Sequence, residues 1–266
     1  MKDTIAVIGA GVIGGSVVKS LLKSGYDGKI IVAEIMPEKA RELEQLGVAV
    51  TRDNREATRE ADVVFLCVKP NILKTVLKEV SREVMGKLVV PTAAAVTIKF
   101  CKRVVPKARF VRIMPNVAIL VQESFTAYCC DDDVTEEDKK KIKDVLDVMG
   151  KSMEIEERYM DAVTAVSGSG PGYLSIIIEA LMYGGLKVGL PRDLALTSAA
   201  QAVLGTAKLV LETKQTPAQI RDNVTTPGGT TIEAIYEVES SDIKQALMRA
   251  VEAATKKSEK IRKQWE

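Results

Sequence analysis

Thr4-Ile5-Ala6-Val7-Ile8-Gly9-Ala10-Gly11-Val12-Ile13-Gly14 is the stretch on which the reading of the fold turns. Five residues suited to a buried strand run directly into G-x-G-x-x-G, and an amphipathic segment follows at 12–23. Alone, the glycine pattern is a weak signal. Between a strand and a helix start it is the fingerprint of a dinucleotide-binding βα turn. Gly9 permits the tight turn, Gly11 lets a pyrophosphate approach the backbone, and Gly14 lets helix and strand pack closely. The helix N-terminus then offers unpaired N–H groups to the phosphates, which makes Gly9, Ala10, Gly11, Val12, Ile13 and Gly14 cofactor-binding candidates.

Outward from this turn, short apolar runs alternate with helical spacing. Strands are expected at 4–8, 29–34, 48–50, 62–68, 87–90, 108–113, 124–130 and 151–155, and helices at 12–23, 37–46, 71–80 and 135–149. Pro37 suits a first helical turn, and Thr135 with Asp138 has the spacing of an N-terminal cap. Repeated βα units imply an α/β fold, a doubly wound parallel sheet of Rossmann type, with antiparallel additions at its end. Glu34 closes the second strand, 20 residues after Gly14. An acid there accepts hydrogen bonds from ribose hydroxyls and repels a 2′-phosphate. Ile35-Met36-Pro37 follows without cation or hydroxyl, so NAD(H) is favoured over NADP(H).

Beyond residue 157 the pattern changes to helical spacing throughout. The expected domains are 1–157, dinucleotide-binding, and 158–266, all-helical. Segment 173–188 (YLSIIIEALMYGGLKV) is apolar on most faces, so it must be buried all round. About 110 residues of helix make a thin domain for that task, and a second subunit is expected to cover it. The charged end, 255–266 (TKKSEKIRKQWE), reads as a solvated helix.

Composition narrows the chemistry. The 266 residues are 46% hydrophobic and 28% charged, with net charge +2, which suits a globular enzyme and gives no basic surface for nucleic acid. There is no histidine. Ser-His-Asp and Cys-His nucleophiles, His acids and His-ligated metals are therefore excluded, and no metal site is expected. The four cysteines (Cys67, Cys101, Cys129, Cys130) contain no C-x-x-C and sit among apolar neighbours, as buried free thiols do. The first residues do not resemble a signal peptide, and no charge-free apolar run free of Gly and Pro approaches the roughly 20 residues that span a bilayer. A cytoplasmic protein without membrane contact is the expectation.

Two loops in the second part carry further chemistry. Ser167-Gly168-Ser169-Gly170-Pro171-Gly172 precedes the apolar helix, and Thr225-Thr226-Pro227-Gly228-Gly229-Thr230-Thr231 precedes another at 232–238. Thr230 and Glu233 have capping-box spacing. Hydroxyls and free N–H groups at a positive helix end make the second loop a seat for a small carboxylate.

With these residues in hand, the chain resembles the pyrroline-5-carboxylate reductase family over essentially its whole length. The motifs in order are residues 9–14, Val68-Lys69-Pro70, Arg112-Ile113-Met114-Pro115-Asn116, residues 167–171 and residues 223–231. The last two together are specific. The resemblance implies a Rossmann domain, a helical domain that dimerises by interleaving helices, and dimers that often assemble into rings. It implies hydride transfer from a nicotinamide cofactor to the C=N carbon of pyrroline-5-carboxylate, giving L-proline. It places Asn54 near the adenosine, and Cys67, Val68, Lys69, Pro70, Thr92, Ala93 and Ala94 along the path to the nicotinamide. Asn223 would touch the cofactor from the partner domain. Thr226, Gly228, Gly229, Thr230 and Thr231 would bind substrate, with the Thr231 hydroxyl on the ring nitrogen as the catalytic group.

The chain departs from the family's pattern at Ala95, where a glycine is usual, and at Gly172, Thr226, Val117-Ala118 and Ile35-Met36. If position 95 needs positive φ, alanine there costs about 1–2 kcal/mol. β-Hydroxyacid dehydrogenases would require a lysine soon after the 167–171 motif, but the first is Lys187. Prephenate-type dehydrogenases rely on a histidine, and F420-dependent reductases lack the two C-terminal loops. The alternative from another class is a non-catalytic NAD-binding or proline-sensing module, and a pure NAD sensor would need neither loop intact. Turnover of pyrroline-5-carboxylate separates these readings.

Overall fold

The computed structural model describes residues 3–265. Its first part runs β1 (Ile5–Ile8), α1 (Val12–Lys23), β2 (Ile30–Ala33), α2 (Pro37–Gln45), β3 (Ala49–Thr51), α3 (Asn54–Glu60), β4 (Val63–Leu66) and α4 (Pro70–Glu79). It continues with β5 (Leu88–Pro91), α5 (Ile98–Val104), β6 (Arg109–Met114), a 3-10 turn (Val117–Val121), β7 (Ser124–Cys130), α6 (Glu136–Asp147) and β8 (Gly150–Glu154). Among the described residues the strands form one sheet in the order β3-β2-β1-β4-β5-β6-β7-β8. Neighbours from β3 through β6 are parallel, and β7 pairs antiparallel with β6, the expected addition at the end. Strand order reverses direction between β1 and β4. Loops leave this point in opposite directions and open a crevice at the carboxyl ends of the strands.

Strand alternation fills a core on each face. Ala6 and Ile8 of β1 join one apolar cluster with Val64, Leu66 and Val89, while Ile5 and Val7 join the other with Phe65, Leu88 and Val90. A parallel sheet covered by helices on both faces needs such continuous apolar runs. Helices α3 and α5 start at side-chain caps. In α3 (NREATRE) only Ala57 and Thr58 are buried, so no apolar stripe marks it. Its start lies in Asp53, whose carboxylate accepts the Arg55 and Glu56 N–H groups. Helix α5 is capped by Thr97, which accepts the Phe100 N–H at 3.2 Å. Thr135 and Asp138 form the expected capping box on α6.

The helical part comprises α7 (Met160–Val163), a π-helical turn (Thr164–Gly168), α8 (Gly170–Lys187), α9 (Arg192–Thr213), α10 (Pro217–Asn223), α11 (Thr230–Glu239) and α12 (Ile243–Arg262). No strand occurs there among the described residues. The 167–172 segment, expected as a loop, is helical instead. The Ser169 N–H reaches back five residues to the Thr164 carbonyl at 2.9 Å, so the turn widens rather than breaks.

Two compact units result. One runs through Ser169 and takes in the chain from Glu252 onward, and the other is Gly170–Val251. The sequence reading drew its line at 157/158. The terminal segment is anchored rather than solvated. Ser258 Oγ and Arg262 Nε donate to the buried Asp161 carboxylate at 2.6 and 2.7 Å. The Trp265 ring stands edge-on to Phe100 at 5.1 Å, and Arg103 donates to the Trp265 carbonyl at 2.7 Å.

In the second unit the apolar helices lie open. Of α8 only Gly170 and Met182 are buried, and Ile176, Leu181 and Tyr183 are at least half exposed. Helix α9 is long and apolar enough to cross a membrane by length and composition, with Gly205 and Lys208 interrupting its apolar run. It exposes Leu194, Leu204, Leu209 and Leu211. Apolar surface on this scale marks an association face.

Ala95 has φ of 63° and is 1% exposed, so the penalty anticipated for a side chain at that position applies. Ala95→Gly relieves strain worth about 1–2 kcal/mol but gives up a buried methyl and stiffens the unfolded chain less, so it should be nearly neutral. Ala57→Gly, in the interior of α3, should cost about 1–2 kcal/mol. Chemical denaturation of the two variants checks the contrast, and equal losses would remove the strain at Ala95.

Candidate active site

The glycine turn lies at the crevice, and the three glycines differ in what they would meet. Gly9 has φ of +92°, and a Cβ there would lie 2.9 Å from the Cys67 carbonyl oxygen. A Cβ on Gly14 would lie 1.9 Å from the Gly9 carbonyl oxygen and 2.9 Å from Cys67 Cβ. Both are demanded by the close passage of α1 over β1 and β4. A Cβ on Gly11 would meet nothing within 4 Å. No atom of the chain requires a glycine there, and the open space is what a pyrophosphate needs. The residues present therefore fit a dinucleotide.

Glu34 is 7% exposed and turned into the crevice. One carboxylate oxygen accepts the Ala10 N–H at 2.7 Å and the other the Met36 N–H at 2.9 Å. The acid at the end of β2 is thus tied to the middle of the glycine turn. Asn54 opens α3 and donates from Nδ2 to Glu79 at 2.9 Å.

The remaining candidates of this unit follow β4 and β5. The Cys67 N–H donates to the Ile8 carbonyl at 2.9 Å, which seats it beside the glycine turn. Burial pushes its thiol up to about 12, so it is a neutral wall and not a nucleophile. Val68 is half-buried, Lys69 is the exposed N-cap of α4, and Pro70 is its first residue. Thr92 donates through N–H and Oγ1 to the Leu66 carbonyl at 3.1 and 3.3 Å, which ties the end of β5 to β4. Ala93 and Ala94 follow in the turn that Ala95 completes. Parallel pairing brings these segments to one edge of the sheet.

In the second unit Asn223 ends α10, exposed, and the 224–229 loop leads into α11. Gly228 has φ of +68°, and a Cβ on Gly229 would lie 2.4 Å from Thr226 Oγ1. The Thr230–Glu233 capping box expected from spacing does not form. Gly229 is the N-cap, no side chain caps the helix, and Thr230 and Thr231 are its first two residues. Thr231 shares with Arg221, Ala234, Ile235, Val238 and Glu239 a cavity of about 240 Å³. Arg221 carried no sequence signal, because lysine and arginine are scattered over every helix here.

A Rossmann sheet with this crevice defines a dinucleotide-binding protein. Residues 4–95 match the family described as NADP oxidoreductase coenzyme F420-dependent, and residues 157–261 match pyrroline-5-carboxylate reductase dimerisation. The chain is 39% identical over 262 residues to pyrroline-5-carboxylate reductase of Glycine max, covering 97% of this chain and 96% of that protein. The solved pyrroline-5-carboxylate reductase from Coxiella burnetii superposes with TM-score 0.91 at 32% identity, covering 98% and 99% of the two chains. The Plasmodium falciparum pyrroline carboxylate reductase with NADP bound gives 0.87 at 28% identity, covering 98% of each. The chain belongs to the pyrroline-5-carboxylate reductase family.

The glycines give a direct test. Gly11→Ala should leave the melting temperature within about 2 °C and weaken NADH binding about tenfold or more, since its methyl meets only the ligand. Gly14→Ala should lower stability by several kcal/mol, since its methyl meets backbone. Calorimetry with dinucleotide titration separates them, and unimpaired binding by Gly11→Ala would remove the pyrophosphate from this turn.

Proposed function

We propose that the protein reduces 1-pyrroline-5-carboxylate to L-proline, the last step of proline synthesis. Family membership over nearly the full length of both chains carries this reading. The reduced nicotinamide supplies a hydride to the carbon of the ring C=N bond. Residues 9–14 hold the pyrophosphate through backbone N–H groups and the α1 terminus. Asn54 lies toward the adenosine, and residues 67–70 and 92–94 line the way to the nicotinamide, with Asn223 as a further cofactor contact.

The substrate carboxylate is received by Thr226, Gly228, Gly229 and Thr230, where the first turn of α11 has no side-chain cap to compete. The Thr231 hydroxyl hydrogen-bonds the ring nitrogen. An imine is already polarised, so a chain without histidine needs no strong acid here. Holding two rings in register and stabilising the changing charge are proximity and preorganised-dipole effects. Thr231 orients the imine rather than serving as the acid.

Glu34 supports NAD(H) over NADP(H). Its buried carboxylate repels a 2′-phosphate, and the Met36 N–H that could otherwise receive one is committed to Glu34. We place the enzyme in the cytoplasm, where its four unbridged thiols stay reduced, as a homodimer built on the helical domain (158–266) whose dimers join into rings.

Thr231→Val should lower kcat/KM for pyrroline-5-carboxylate about tenfold or more, close to 1.4 kcal/mol, while NADH affinity stays within about twofold. Wild-type turnover in that variant would take Thr231 out of the mechanism. Glu34→Ser should raise the NADPH/NADH ratio of kcat/KM and, by freeing the Ala10 and Met36 N–H groups, cost about 1–2 kcal/mol of stability. An unmoved ratio in steady-state assays at 340 nm would mean that Glu34 is not at the ribose.

A further inference from the structure

Two sequence motifs have no part in the roles above: residues 112–116 at the end of β6 and residues 167–171 before α8. The structure joins them. Asn116 Nδ2 donates to the Ser167 carbonyl at 3.1 Å and contacts Ser167 Oγ at 3.3 Å. Asn116 Oδ1 accepts the Ala118 N–H at 3.0 Å, and the Asn116 N–H donates to Ser124 Oγ at 3.1 Å. Ser167 Oγ donates onward to the Phe125 carbonyl at 3.3 Å. A Cβ on Gly168 would lie 2.8 Å from the Met114 methyl. The asparagine is half-buried, and both faces of its amide are committed.

What Asn116 holds is the π-helical turn Thr164–Gly168. Such turns are rare, form mostly as single-turn bulges in α-helical segments, and are frequent at functional sites. This one lies at the carboxyl end of β6. That strand is parallel to β5, so the end falls on the same edge as Gly9, Cys67 and Thr92. If Glu34 at the end of β2 marks the ribose side of the crevice, β4, β5 and β6 lie in the opposite direction, toward the reacting end of a dinucleotide. The turn ends in Ser169, exposed at that edge.

We propose that Asn116 is a positioning residue for the reductase reaction. It clamps the π-helical turn so that the Ser167-Gly168-Ser169 backbone is presented in one fixed register at the reacting end of the crevice. This rests on the proposed reductase activity. Asn116 acts through the turn and touches neither substrate nor cofactor. Its amide does for a five-residue turn what a capping donor does for a helix C-terminus: it supplies from a rigid strand end the donor that the local backbone, with Pro171 four residues on, lacks.

Asn116→Asp separates the clamp from the rest of the local fold. It keeps the oxygen that caps Ala118 and replaces the donor with a charge facing the Ser167 carbonyl. The expected result is a kcat lowered about tenfold or more, with NADH affinity within about twofold and the melting temperature within a few degrees. Hydrogen exchange by mass spectrometry should show faster uptake in the peptide covering 164–170, and Ser167→Ala should fall short of both effects because the carbonyl remains. Unchanged exchange would overturn the clamp. Faster exchange with kcat within about twofold would overturn the positioning role. A folded wild-type protein that fails to turn over pyrroline-5-carboxylate would instead remove the reductase reading, and the positioning role with it, leaving the exchange result to judge the clamp alone.

Discussion

Helix α1 crosses the sheet so closely that the space above Gly14 is less than a carbon atom deep: a Cβ there would lie 1.9 Å from the Gly9 carbonyl oxygen. Much of the first unit follows from that contact. The close passage aims the α1 terminus into the crevice between β1 and β4. It also leaves Gly11 facing open space and brings the Ala10 N–H within reach of Glu34. Cys67 closes the arrangement from β4, its amide fixed to β1 and its thiol kept neutral by burial. A larger residue at position 14 would separate helix from strand and undo these relations together. The tolerance of dinucleotide folds for different strands elsewhere contrasts with the lack of any at this point.

Without histidine, the chain's polar chemistry falls to backbone amides, hydroxyls and carboxylates in fixed places. Glu34 is the clearest case. Its two oxygens bind backbone N–H groups from separate segments, so one side chain ties the middle of the glycine turn to the end of β2. On the helical side, the absence of a side-chain cap on α11 leaves its positive end available. Hydride transfer to an imine needs little more than geometry and a suitable field.

Much of this was legible in the residues. The alternation of apolar strands with amphipathic helices gave the doubly wound sheet, because a parallel strand must be apolar on both faces. Helix α3 escaped notice because it buries little and its start depends on Asp53. The π-helical turn escaped because its glycines and serines are those of a loop, and the Asn116 donor that reaches it comes from 51 residues away. The Thr230–Glu233 spacing misled because Gly229 takes the capping position. Glu34 was readable as an acid at the right spacing, but its grip on Ala10 and Met36 depends on burial that spacing does not record. Ala95 shows the converse. The departure from the family's usual glycine flagged the strained backbone, and φ of 63° agrees.

The anchoring of the final turns of α12 on Asp161 and Phe100 makes the first unit discontinuous along the chain. A ribosome that has made every strand of the sheet has still not made the residues that satisfy the Asp161 carboxylate. That acid, 6% exposed in the finished protein, stays solvated until Ser258 and Arg262 emerge, nearly a hundred residues later. The nucleotide-binding half therefore cannot complete its own surface during synthesis. Its last contacts form only after the whole helical insertion has been translated, which links the maturation of one half to the completion of the other.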